Sequence, residues 1–285
     1  MIMGLEYAFM RHALAAGTAI AVVSAAVGYF VTLRRQAFAA HALSHVGFAG
    51  AAGAILLSLD PYVGLFVITF LAALGLAWSG QRLSERDVGV GMILMFSLGL
   101  GVLFLNLYTA NAQAAMSILF GSIVGVTTGQ AWLSVGVASG ALLLLAAMLR
   151  PLLYMSLNEE AAAGRGVPVK RLNTLFLGLL AITVAIAVPI IGALLIFALL
   201  VGPPAAAQLL SKNVFTGILT AVALGIGETW AGIGCAYYIG YPASTWIASL
   251  SFFVYLGATA IGPWRERESS DSTTVTAADP SGKGL

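Results

Sequence analysis

Apolar runs close to 20 residues long follow one another from Ala8 to Ile261, parted by short polar breaks or by glycine and proline. Wound as an α-helix rising about 1.5 Å per residue, such a run spans the roughly 30 Å hydrocarbon core of a bilayer. Lipid offers no partner for backbone N–H and C=O groups, so spanning segments are held to helices or closed barrels. The short segments of alternating polarity that mark a barrel are missing here. The chain is therefore expected to be an all-α integral membrane protein, a polytopic bundle of about eight or nine helices. Composition agrees: 60% of its 285 residues are apolar and 8% are charged, whereas soluble domains carry about 25% charged residues.

The expected spans are 8–33, 37–59, 62–79, 88–108, 131–149, 214–239 and 243–261. The run 172–210 is too long for one ordinary crossing, and Pro189, Gly192, Gly202, Pro203 and Pro204 are expected to divide it in two. The partly apolar connection 116–126 contains Leu119-Phe120-Gly121-Ser122 and is too short to span, so it reads as re-entrant or interfacial. The longest internal polar stretch, 150–171, reads as a short helix closed by a Gly/Pro turn, placed where a partner can dock. The division expected is a membrane domain over 1–264 and a disordered tail rich in Ser, Thr and Asp over 265–285. The N-terminus lacks the pattern of a cleaved leader, so the first run reads as a retained span.

Nine spans with the N-terminus outside put twelve of the thirteen Lys and Arg on the cytoplasmic side and leave Arg11 alone outside. The positive-inside rule selects that orientation. The net charge of +2 resides in short loops and carries no nucleic-acid signal. Cys235, the single cysteine, reads as a small packing residue within an apolar run.

Few side chains in the spans carry chemistry. His41 and His45 stand four residues apart, which turns a helix through about 400° and leaves both imidazoles within roughly 40° on one face. They are candidate metal ligands, since neutral imidazole is the commonest one; the alternative is a pair of hydrogen-bonded structural histidines. Gly47, Gly50 and Gly53 beyond them offer a close approach to a neighbouring helix. Glu228 is the acidic residue near the middle of a span. Ionised, it costs roughly 2.5–3.5 kcal/mol, so it is either a pathway carboxylate or a protonated acid bonded to its neighbours, Asn106 being a candidate partner. A proton-coupled carrier with relay groups and repeated halves, a channel with a filter sequence and a nucleotide-binding P-loop all lack their signatures.

Several elements, in order, resemble one family. His41-Ala-Leu-Ser44-His45 matches its Asp-Ala-Leu-Ser-His element with histidine in place of aspartate, and Leu119-Phe120-Gly121 matches its Leu-Phe-Gly. Arg150-Pro151-Leu152, Glu160 and Gly166-Val167-Pro168 match the approach to its coupling region. Val201-Gly-Pro203-Pro204-Ala-Ala-Ala-Gln-Leu-Leu210 and Gly240-Tyr-Pro242-Ala-Ser244 match its proline-containing segment and its final turn. The chain is similar to the membrane permeases of bacterial zinc and manganese ABC importers.

That resemblance implies a homodimeric, multi-pass permease of the bacterial inner membrane, without enzymatic activity of its own. A pair of cytoplasmic ABC ATPase subunits would lie beneath it, and an extracytoplasmic metal-binding protein above. Asn158, Glu159, Glu160, Arg165, Gly166, Val167 and Pro168 would form the segment that receives the ATPase stroke. His41 and His45 would be transient metal ligands, with Ser44 supporting them or lining the path and Glu228 a further pathway residue. No cofactor is expected to be held permanently; the metal is cargo. Four imidazoles at a twofold axis point to zinc, which takes tetrahedral nitrogen ligands readily. Manganese or iron, a standalone carrier or channel, and a non-transporting scaffold are the alternatives.

Overall fold

The computed structural model describes residues 6–78, 83–107 and 119–277, all in helices and the turns between them. Ten α-helices are present: α1 (Ala8–Leu33), α2 (Ala37–Leu56), α3 (Pro61–Trp78), α4 (Leu83–Leu107), α5 (Thr128–Leu157), α6 (Glu159–Gly164), α7 (Val169–Ile191), α8 (Ala193–Leu210), α9 (Val214–Ile239) and α10 (Ala243–Ala277). Among the described residues nine of these, all but α6, are long and apolar enough to cross a membrane, as expected. The polar residues around Asn111 and the first part of the 116–126 connection lie outside the described residues.

The layout follows from which helices can come close. α1 packs on α5, α7, α8 and α9, while α2 packs on α3, α4, α7 and α8, so these two form the middle of the bundle. α1, α2 and α7 are buried over most of their length; α3, α4 and α10 turn most of their surface outward. α2 meets α3 through reciprocal glycines: a methyl at Gly50 would run into the Gly64 carbonyl, and one at Gly64 into that of Gly50. Small residues thus bring two backbones into contact where lipid gives apolar side chains no reason to prefer protein over membrane.

Local chemistry sets the ends. Asp60 accepts a hydrogen bond from the Tyr62 N–H at 2.8 Å, and Pro61 occupies the first position of α3, where a missing N–H costs nothing. Thr127 and Gln130 exchange side-chain and backbone hydrogen bonds of 3.3 and 3.0 Å, a capping box that starts α5.

Three boundaries differ from expectation. The span expected to stop at Leu149 continues through Arg150 and Pro151 to Leu157, 30 residues in all. At about 45 Å it outreaches the hydrocarbon core, so its end can carry polar residues clear of lipid. The 172–210 run breaks at Gly192 alone, which stands at φ +94°, while Pro189, Pro203 and Pro204 are carried inside α7 and α8. α10 runs on to Ala277, so the first part of the tail continues the last helix, and 278–285 lie outside the described residues.

The described part of the 116–126 connection, from Leu119, ends in a 3₁₀ turn at Ile123–Gly125. Gly121, at φ +72°, lies backbone to backbone against the α7–α8 break, where a methyl group would meet the Ile191 carbonyl carbon and the Gly192 nitrogen. Only two glycines allow that approach.

Candidate metal-handling site in the α2–α8 seam

His41 and His45 lie side by side on α2, ring centroids 4.7 Å apart and planes at 81°. His45 is 7% exposed and His41 half-buried. Nδ1 of each ring is buried without a hydrogen-bond partner among the described residues. A buried polar atom left unbonded costs on the order of 1–3 kcal/mol. The two unbonded nitrogens lie on adjacent rings, and the expectation of hydrogen-bonded structural histidines is not met at these two atoms among the described residues.

The third wall comes from elsewhere in the chain. Phe197 of α8 sets its ring 4.8 Å from that of His41, at 65°. Phe197 is itself half-buried, so the pair sits in a seam that reaches the outside of the single chain. Nothing in the sequence singled it out, since it is one apolar residue among many in a run more than a hundred positions away.

Ser44 is fully buried and donates its hydroxyl to the His41 carbonyl at 2.7 Å. It therefore steadies the turn that carries the two histidines. Among the described residues no group of three or more His, Cys, Asp or Glu could hold a metal together.

Glu228 lies on α9, away from the histidines, 4% exposed and with neither oxygen hydrogen-bonded. Ser251 of α10 stands near it but donates to the Ala198 carbonyl at 3.3 Å. Asn106 is not its partner: it is exposed on α4 and donates to the Val102 carbonyl of its own helix at 2.9 Å. The structure thus brings His41 and His45 together and leaves Glu228 in a separate seam.

The 158–168 segment is a short capped helix and a turn. The Asn158 side chain accepts from the Ala161 N–H at 2.9 Å, and Glu159 and Glu160 fill the first turn, where negative charge suits the helix dipole. Arg165 lays its guanidinium 5.2 Å from the Tyr154 ring centroid, Gly166 turns at φ +81°, and Val167 and Pro168 lead into α7. Ala162 is fully buried, whereas Asn158, Glu159, Glu160, Arg165, Gly166 and Pro168 are exposed. One turn into α7, Asn173 accepts from Arg34 at 2.9 Å, tying the start of that helix to the α1–α2 turn.

Nine helices long and apolar enough to cross a membrane among the described residues define the class as a polytopic helical membrane protein. The model of the ABC 3 transport family matches residues 6–262, and the chain belongs to that family. It is 29% identical over 259 residues to the manganese import system permease protein ScaB of Streptococcus gordonii, covering 90% of this chain and 93% of the relative. It is 26% identical over 230 residues to the manganese transport system membrane protein MntC of Halalkalibacterium halodurans, covering 80% and 79%. Among solved structures it is similar to PsaBC from Streptococcus pneumoniae in complex with Fab, with a TM-score of 0.80, 27% identity, and coverage of 89% and 91%.

Proposed function

We propose that this chain is the membrane permease subunit of an ABC importer for a divalent transition metal in the bacterial cytoplasmic membrane. Residues 1–264 form its transmembrane domain. It works as a symmetric pair with separate ATPase subunits at the 150–171 segment and an extracytoplasmic metal-binding protein on the opposite face. Membership of the ABC 3 transport family supports the class of machine, and no P-loop in the sequence supports ATP hydrolysis by another chain. The observation that carries the site is the pair of buried, unbonded imidazole nitrogens on adjacent rings.

Manganese is the favoured cargo, in place of the zinc expectation, because ScaB and MntC are both named for manganese. Zinc is the second reading, on one observation: among the described residues no carboxylate joins the histidines, whereas manganese prefers oxygen donors. In either case alternating access brings the ion to His41 and His45 from outside and exposes it inward on the ATPase stroke. A transient site of this kind binds more weakly than the delivery protein.

Cells expressing this chain with its ATPase and delivery protein should accumulate manganese in preference to zinc. His41→Ala and His45→Ala should each lower accumulation at least about tenfold, since each removes half of a two-donor site. Undiminished accumulation in the double variant removes the site, preferential zinc accumulation reverses the cargo, and uptake without the ATPase makes the chain a standalone carrier.

A further inference from the structure

Among the described residues no hydrogen bond tethers the buried edge of the His41 ring. Its Nδ1 is buried and unbonded, so what fixes the ring is contact with two others, His45 at 4.7 Å and Phe197 at 4.8 Å, both near edge-to-face. Aromatic pairs favour that arrangement, with centroids 4.5–7 Å apart. His45 rides on the same helix as His41 and moves with it. Phe197 does not.

Phe197 belongs to a helix that begins at a backbone break and carries two prolines. α8 starts at the Gly192 break, five residues before Phe197, where the left-handed backbone at φ +94° interrupts the helical hydrogen bonds. Farther along, Pro203 and Pro204 lack the N–H groups that would bond the Leu199 and Leu200 carbonyls, which weakens the helix two to three residues beyond Phe197. The phenyl ring is thus the point at which a hinged element touches a ligand.

We propose that Phe197 is a positioning residue for the metal: its ring holds His41 in the rotamer that converges with His45 and keeps water off the pair. Displacement of α8 withdraws the phenyl ring, lets His41 rotate and lowers the hold on the ion. This rests on the reading of His41 and His45 as the transient ligands. With Phe197 in place the site is organised for capture; with it gone, His41 samples other rotamers and the second donor is lost for part of the time.

The test uses the purified full-length chain in detergent, titrated with Co2+ alone, whose absorption bands report the number and geometry of ligands. Wild type, Phe197→Ala, Phe197→Leu, His41→Ala and His45→Ala are compared, with thermal melting measured on each. Phe197→Ala should weaken Co2+ binding on the order of fivefold to tenfold and alter the bands, the scale of one aromatic contact. Phe197→Leu, which keeps bulk but not the ring, should melt like wild type and still bind more weakly; if the alanine variant does not fold, the leucine variant decides alone. Histidine variants that lose binding while both Phe197 variants bind with wild-type affinity and spectrum overturn the positioning role and leave the site standing. Histidine variants that bind normally overturn the site itself, and the positioning role with it.

Discussion

Both oxygens of Glu228 lie unbonded in a side chain that is 4% exposed, near Ser251, whose hydroxyl is committed to another acceptor. Read as a packing group between α9 and its neighbours, the side chain needs shape and polarity but no charge. Glu228→Gln, which keeps shape and polarity without the capacity for charge, is expected to leave metal accumulation within about twofold of wild type. Glu228→Ala should instead lower thermal stability, on the order of 2 kcal/mol for the cavity left behind. Loss of accumulation in the glutamine variant, with protein level and melting unchanged, would show that ionisation matters and restore Glu228 to the pathway. The contrast with His41 is physical: each has unbonded polar atoms, but the histidine has a second donor 4.7 Å away by ring centroid and an outlet from the seam.

At the scale of the element, α2 joins the site to the rest of the bundle. Its glycine face is locked on α3 by the Gly50–Gly64 approach, and its histidine face reaches α8. Gly50→Leu has no room for its side chain, and the clash is with backbone, which cannot rotate away. The expected result is a large loss of folded protein in the membrane, measured by detergent-resistant gel-filtration yield, whereas Gly136→Leu on α5, where nothing lies within 4 Å, should be recovered normally. The helix caps act within one turn of their own backbone at Asp60, Asn158 and the Thr127–Gln130 pair, which starts α5 three residues before the expected 131. The end of α5 was not legible in the sequence, because Arg150 and Pro151 stop a helix only where membrane or packing requires it. A 30-residue helix simply carries them past the lipid.

The whole molecule presents a site half made. Two nitrogens are too few for zinc's four ligands or manganese's six, and the seam reaches the outside of the single chain beside Phe38, which is 40% exposed one turn before His41. In the symmetric pair proposed above, a second copy meeting at this seam would complete the ligand set. In a Cys235→Ser background, Phe38→Cys is therefore expected to form a disulfide-linked or bismaleimide-linked dimer in membranes, while Phe215→Cys, 69% exposed on α9, should not. Cross-linking at the second position and not the first would place the twofold axis elsewhere and leave the histidines as a bidentate site within each chain.

What the sequence determined by itself was everything set by lipid and by the helical repeat. Nine apolar helices follow because no open alternative satisfies a backbone in hydrocarbon, and the His41–His45 pairing follows because four residues bring a helix round to nearly the same face. What only the tertiary structure decided was lateral: Phe197 against His41, Gly121 against Gly192, Asn106 bonded to its own helix instead of to Glu228. In water the buried side of a helix announces itself by its apolar stripe. In a membrane protein the lipid-facing and protein-facing sides are equally apolar, so hydropathy shows which segments cross and says almost nothing about which of them touch.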